Sequence, residues 1–496
     1  MVPKTLVRDT EEGGSPMAED GTTLPRQGVP QDEVLRRMEA FRGGDADWRT
    51  GRTWSLVYYG GEEHTEFLKR AHGLYFSENG LNPMAFKSLK RFETEVVRMA
   101  AGLLNGGPDA VGCMTSGGTE SCMLAVKTYR DRALARRRWP GTPELIVPTT
   151  VHVAFEKAAE YFGVKLVRVP PGPDYRVDVK AMKRRINRRT IGLVASAPPY
   201  PHGVVDPIEE LGRIAARHGL PFHVDACLGG FMLPFVEQLG YPVPAFDFRV
   251  PGVTSMSADL HKYGYAAKGA SLILYRDMSY MEHQFFVYEN WPGGIFASPA
   301  LLGTRPGGSI AAAWAALMTT GQDGYLRRAK AAMVTTHALI EGVNGIPGLR
   351  VLGEPTMSVF AYRATDPAVN VYAVADRLEA RGWHVDRQHK PDALHVMVSA
   401  AHEGMAEPYL ADLRDAVDAV RADPSLATAG GAATYGMISA VPLRGLIKRQ
   451  VLQMMMNAYG PGGGEIDVDT PGDDLATRAG LVLVKAREEL RRRLRR

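Results

Sequence analysis

Apolar residues recur every three or four positions along the stretch 31–105, as with Phe92, Val96, Met99 and Leu103, and predict helices there. From about Gly112 to Arg276 the pattern changes to short apolar runs separated by amphipathic stretches. Leu145–Val147, Lys165–Val169, Ile191–Ala195, Pro221–Val224, Val253–Ser257 and Ser271–Tyr275 read as strands. Ala154–Phe162 and Ile208–His218 read as helices between them. Strands that are apolar almost throughout, alternating with helices, predict an α/β fold with a mostly parallel central sheet covered on both faces.

After about Gly324 a long helical stretch leads to a strand near Leu349–Leu352, a helix through Val371, Val374, Ala375 and Leu378, and a strand around Leu394–Val398. A last periodic run holds Leu410, Leu413, Val417 and Val420. That order predicts a smaller α+β domain. The expected organisation is a flexible arm over 1–30, a helical segment over 31–105, a large α/β domain over 106–325 and the small domain over 326–496. The small domain would include a Gly-rich loop at Tyr459–Gly464 and a basic terminal helix.

Composition narrows the class of protein. The 496 residues are 45% hydrophobic and 23% charged, enough for a buried core. Net charge is +4, and the basic runs Arg136–Arg138, Lys183–Arg185 and Arg491–Arg496 lack the interleaved aromatic residues of a base-stacking surface. No nucleic-acid partner is expected. Cys113, Cys122 and Cys227 fit neither a zinc site nor a disulfide framework, and His202, His218, His223 and His261 add no ligand spacing, so no metal is expected. No transmembrane segment is expected and the start of the chain is polar, which points to the cytoplasm.

Three motifs carry chemistry. Thr115-Ser116-Gly117-Gly118-Thr119-Glu120-Ser121 joins a short apolar run to a helix, where adjacent glycines, hydroxyls and free amides suit a phosphate. Phe222-His223-Val224-Asp225 puts a carboxylate at the C-terminal end of a buried strand, where open α/β sheets place ligand groups. Such a carboxylate can keep the pyridine nitrogen of pyridoxal phosphate protonated, which makes the ring an electron sink. Ser257-Ala258-Asp259-Leu260-His261-Lys262 places a lysine suited to Schiff-base formation shortly after the next strand, with His261 beside it as a phosphate donor. His152, at a helix start between the first two motifs, could stack on a cofactor ring or simply cap the helix. A phosphate loop, a strand-end acid and a lysine in this order predict a pyridoxal 5'-phosphate enzyme.

These segments resemble the sphingosine-1-phosphate lyase family. Pro201–Pro207, Gly293–Pro299, Arg305–Gly308 and Ala432–Met437 are similar to further signatures of that family, and the similarity runs from about Val57 to about Met437. The resemblance implies a fold-type I, aspartate-aminotransferase-like enzyme whose active sites form between the subunits of a homodimer. It implies Lys262 as the Schiff-base lysine, Asp225 as the pyridinium partner and His152 as the stacking residue. Ser116, Gly117, Gly118, Thr119 and His261 would hold the cofactor phosphate. Tyr58 and Lys268 would face a substrate phosphate, and Tyr200 the reacting carbons. Asn82 stands where the lyases usually carry a histidine on that phosphate, and Phe296 where a tyrosine is common. The implied reaction is retro-aldol cleavage of a phosphorylated long-chain 2-amino-3-hydroxy substrate to an aldehyde and phosphoethanolamine. An amino-acid decarboxylase, a lyase for a non-sphingoid β-hydroxy amine, and a non-enzymatic relative on the same fold are the competing expectations.

Overall fold

The computed structural model describes residues 24–136, 141–440 and 444–461. Residues 1–23 of the expected arm, Arg137 and Arg138, Gly462–Gly464 and the basic run Arg491–Arg496 lie outside the described residues. The chain divides into two compact units between Asp47 and Trp48. The first carries helix α1 (Gln31–Phe41), where Glu33 pairs with Arg36 and Arg37.

Both sheets belong to the second unit. The large sheet has seven strands in the order β1-β7-β6-β5-β4-β2-β3. They are β1 (Val111–Thr115), β2 (Glu144–Pro148), β3 (Lys165–Val169), β4 (Thr190–Ser196), β5 (Phe222–Asp225), β6 (Ser255–Ala258) and β7 (Ser271–Tyr275). The neighbouring pairs from β3 through β6 are parallel, and β7 runs antiparallel to both β6 and β1. Every residue of β4 is buried, as the unbroken apolar run requires of a central strand.

Helices α2 (Glu62–Gly73) and α3 (Lys87–Leu103) precede the sheet. Helix α4 (Gly118–Arg136) follows β1, α5 (Ala154–Phe162) follows β2, α6 (Val179–Arg185) follows β3 and α7 (Ile208–Arg217) follows β4. Helix α7 shows why these segments fold as they do. It buries Ile208, Leu211, Gly212 and Ala215 on one face, with Glu209 and Glu210 in its first turn and Arg217 in its last, matching the helix dipole. Buried hydroxyls find partners between layers: Ser121 Oγ lies 2.7 Å from Thr115 Oγ1 and 2.8 Å from Ser271 Oγ.

The hairpin of β8 (Phe286–Trp291) and β9 (Gly294–Ser298) had no signature in the apolar pattern and leaves Phe286, Val287, Tyr288, Trp291 and Ile295 exposed. The helical run Gly307–Gly345 then breaks at Gly321, whose φ of 58° a side chain rarely adopts. The small sheet is antiparallel, in the order β10 (Leu349–Val351), β11 (Val359–Ala364), β13 (Ala393–Met397), β12 (Asp386–Gln388). Strand β12 was not foreseen because Asp386, Arg387 and Gln388 carry no apolar alternation. Trp54 stacks on Trp383 at 5.5 Å and packs edge-on against Tyr409, tying the segment before α2 to the stretch that leads into β12 and to the helix Ala406–Ala422. No described helix is long and apolar enough to cross a membrane.

Candidate active site

The site begins where β1 stops. The loop Ser116–Gly117 leads straight into the N-terminus of α4, and Glu120 braces it from inside. Its Oε2 accepts from the Ser116 N–H at 2.7 Å and from Ser116 Oγ at 2.6 Å, while Oε1 accepts from the Leu301 N–H at 2.8 Å. A β-carbon on Gly118 would lie 2.7 Å from Asp259 Oδ2 and 2.9 Å from Cys227 Sγ, so only glycine fits there. Amides at a helix start with this close backbone packing form a cradle for a phosphate.

Three strands over, β5 ends at the buried Asp225. One oxygen accepts from the Cys227 N–H at 3.1 Å and from Ser257 Oγ at 3.0 Å. Burial pushes this carboxyl up, but His152, Cys227 and His223 together outweigh it and hold Asp225 below the usual carboxylate range. It is therefore a carboxylate at neutral pH, ready to accept a proton-bearing nitrogen.

Strand β6 ends at Ala258, and the following turn delivers Asp259, His261 and Lys262. Lys262 Nζ lies 3.1 Å from Asp259 Oδ2, whose other oxygen accepts from Ser271 Oγ at 2.5 Å. Burial pulls the Lys262 ammonium down, yet Asp259, then Cys227 and Asp225, more than compensate and leave it raised. His261 Nε2 is 3.7 Å from the same Asp259 oxygen. Burial lowers His261, and Lys268 and Lys262 work in the same direction against Asp259.

The opposite wall comes from distant segments. His152 sits just before α5 and accepts from the Ala154 N–H at 3.2 Å. The Tyr200 hydroxyl donates to Asp386 Oδ2 at 2.9 Å, and its ring stacks on His395 at 3.9 Å. Lys268 Nζ donates to the Leu56 carbonyl at 2.6 Å and stands 5.5 Å from the centre of the Tyr58 ring. Burial lowers Lys268 and lifts the Tyr58 hydroxyl well above its ordinary value.

One cavity of about 540 Å³ collects these groups: Tyr58, Ser116, Gly117, Gly118, Thr119, His152, Tyr200, Asp225, His261, Lys262 and Lys268 all line it. Asn82 does not. It is exposed, and its Oδ1 accepts from the Met84 and Ala85 N–H groups at 3.0 and 3.3 Å, closing its own turn. The expectation that Asn82 reaches the substrate phosphate is thus not met within a single chain.

The cavity also holds groups that sequence reasoning missed. Asp259 was visible three residues before the lysine, and Glu120 lay inside the phosphate motif. Asp386 gave no signal, lying in a polar strand. Cys122, Asp225 and Cys227 bring three ligand-type atoms within 4.8 Å of one another, a grouping that spacing along the chain does not reveal.

The donor set fits pyridoxal phosphate: a glycine-walled helix start for the phosphate, an ionised carboxylate for the ring nitrogen, and a lysine between them. The comparisons agree. A family model described as the pyridoxal-dependent decarboxylase conserved domain matches residues 88–364. Sphingosine-1-phosphate lyase 1 of Rattus norvegicus is 45% identical over 421 residues, spanning 84% of this chain and 73% of that protein. The solved sphingosine-1-phosphate lyase of Burkholderia pseudomallei is similar with a TM-score of 0.79 at 39% identity, over 87% of this chain and 96% of that one. Glutamate decarboxylase of Lactobacillus brevis, at 22% identity and a TM-score of 0.71 over 81% of this chain and 95% of its own, shares the fold. Phosphate cradle, strand-end acid and lysine, with these relatives, place the chain in the sphingosine-1-phosphate lyase family of pyridoxal-phosphate-dependent enzymes.

Proposed function

We propose that the protein is an aldehyde-lyase that cleaves the Cα–Cβ bond of a phosphorylated long-chain 2-amino-3-hydroxy substrate, with sphingosine 1-phosphate as the type compound. The products are an aldehyde and phosphoethanolamine. The observation that carries this reading is the single cavity in which the Lys262 and Asp225 wall faces Tyr200, Tyr58 and the Lys268 cation. A second cavity of about 380 Å³ shares Tyr58, His261 and Lys268 and is walled by Trp48, Val57, Leu68, Tyr265 and Ala266, which suits an alkyl chain beside a phosphate.

Bound pyridoxal phosphate supplies a carbonyl for the substrate amine and a ring that absorbs the electron pair left on Cα. Lys262 anchors the cofactor, and Asp225 keeps its ring nitrogen protonated. His152 covers the ring face. Ser116, Gly117, Gly118, Thr119 and His261 hold the cofactor phosphate. Tyr58 and Lys268 bind the substrate phosphate, and Tyr200 stands at the β-hydroxyl. Burial, with Asp386 beside it, raises the Tyr200 hydroxyl, so Tyr200 holds its proton at rest.

In this reading the enzyme is a cytoplasmic homodimer, and Asn82 serves the cavity of the partner subunit. The exposed apolar residues of the β8–β9 hairpin support such an interface. Leu81, next to Asn82, lies beside the same hairpin: a β-carbon at Gly303 would stand 3.8 Å from Phe296 and 3.9 Å from Leu81.

The test is an assay of cofactor-loaded protein with sphingosine 1-phosphate, following aldehyde and phosphoethanolamine together. Equal yields of both are expected. Carbon dioxide from free amino acids, with no aldehyde, would assign a decarboxylase instead.

A further inference from the structure

Asp386 enters the cavity from the small sheet, on a strand with no apolar pattern. Its carboxylate has one hydrogen-bond partner among the described residues, the Tyr200 hydroxyl at 2.9 Å. The pair is held stiffly from behind. Asp386 and His395 are cross-strand neighbours in the β12–β13 ladder. The buried His395 ring lies 3.9 Å from the Tyr200 ring at an interplanar angle of 22°, and its Nε2 meets the Tyr200 carbonyl at 2.8 Å. With Nε2–H donating to that carbonyl, Nδ1 is left as the bare nitrogen, and it has no partner among the described residues. Burial pushes His395 down to about 4, so the ring is neutral and adds no charge beside the carboxylate.

A retro-aldol cleavage must take the proton from the β-hydroxyl as the carbon–carbon bond opens. Tyr200 alone is a poor acceptor, because burial raises its hydroxyl and penalises a tyrosinate. Passing its own proton onward as it takes one avoids that charge, and the hydrogen bond already points to the recipient.

We infer that Asp386 is the proton acceptor behind Tyr200, so that the Tyr200–Asp386 pair, one from the loop after β4 and the other from β12, forms the base of the cleavage step. The inference rests on the lyase reading above. In the step, the β-hydroxyl proton moves to the Tyr200 oxygen while the Tyr200 proton moves to Asp386 Oδ2. The Cα–Cβ bond breaks with its electron pair staying on Cα, and the former O–H pair becomes the second carbon–oxygen bond of the leaving aldehyde. The proton on Asp386 returns through Tyr200 as the cycle closes. Asp386 acts through Tyr200 and is a positioning residue in that sense, yet it must be ionisable.

Asp386→Asn separates the two properties. An asparagine carbonyl still accepts the Tyr200 hydrogen bond but cannot take a proton. Proton transfer by a placed side chain contributes roughly 10²–10⁴-fold. We expect D386N to load cofactor normally, keep KM within about threefold and lose on the order of 100-fold in kcat. Tyr200→Phe should lose a similar factor, and the double variant no more than either single one. Wild-type turnover with D386N unchanged overturns the inference and leaves the lyase reading intact, and so do losses that multiply in the double variant. Absence of wild-type turnover removes both together. Should D386N fail to hold cofactor, Asp386→Glu reads the same point: kcat above that of Y200F supports the acceptor, and kcat no higher overturns it.

Discussion

The two walls of the cavity are built on different plans. The wall proposed to hold the cofactor rises from the ends of three strands of one sheet, and its groups lock onto each other: Lys262 on Asp259, Asp259 on Ser271, Asp225 on Ser257. The wall proposed to face the substrate is gathered from Tyr58, Tyr200, Lys268 and Asp386, residues that span more than half the chain, with Asp386 alone of the four on a strand. A strand end in a close-packed parallel sheet cannot shift without moving its neighbours, so it suits chemistry that must not vary. Loops and a short outer strand can change while the cofactor chemistry stays, which lets a family alter its substrate on a constant base.

The largest break in the comparison is on the cofactor wall. Lys262→Ala is expected to abolish the visible absorbance of the cofactor–lysine Schiff base and to cut turnover by roughly four orders of magnitude or more. A spectrum like the wild type's would sink the assignment. The Tyr200–Asp386 pair comes next, at about 100-fold in kcat. Lys268→Met should then fall on binding, because it removes a charge-assisted contact. Such contacts are worth about 1.5–3 kcal/mol, or roughly ten- to a hundredfold in KM, with kcat nearly kept. An unchanged KM would move the substrate phosphate elsewhere. The smallest effect sharpens the picture: Asn82→His adds a cationic donor and should raise kcat/KM about three- to tenfold for a phosphorylated substrate. No gain would show that Asn82 does not face the partner's site.

How far each wall could be read from sequence follows the same division. Ser116–Thr119, Asp225 and Lys262 were legible because each sits where an apolar run stops, and the runs themselves mark the strands. Asp259 lay inside a motif already in view but was passed over in favour of the lysine it pairs with. Asp386 could not be found by periodicity, since a three-residue polar strand leaves no alternation to detect. Cys122 and Cys227 stand far apart in sequence, and only the folded chain brings their sulfur atoms together beside Asp225. Asn82 was placed by resemblance alone, and the backbone amides of its own turn occupy its side-chain oxygen.

The contact between Lys262 and Asp259 also bears on how a newly made chain matures. A lysine must be neutral to capture an aldehyde, and this one is held as an ammonium ion by its carboxylate neighbour. The Lys262 nitrogen would therefore have to pass its proton to a neighbour or to solvent before it could attack a cofactor aldehyde. Reconstitution should be slow in acidic buffer and quicken as the medium becomes alkaline, making the acidity of the surroundings a throttle on how fast the enzyme becomes competent.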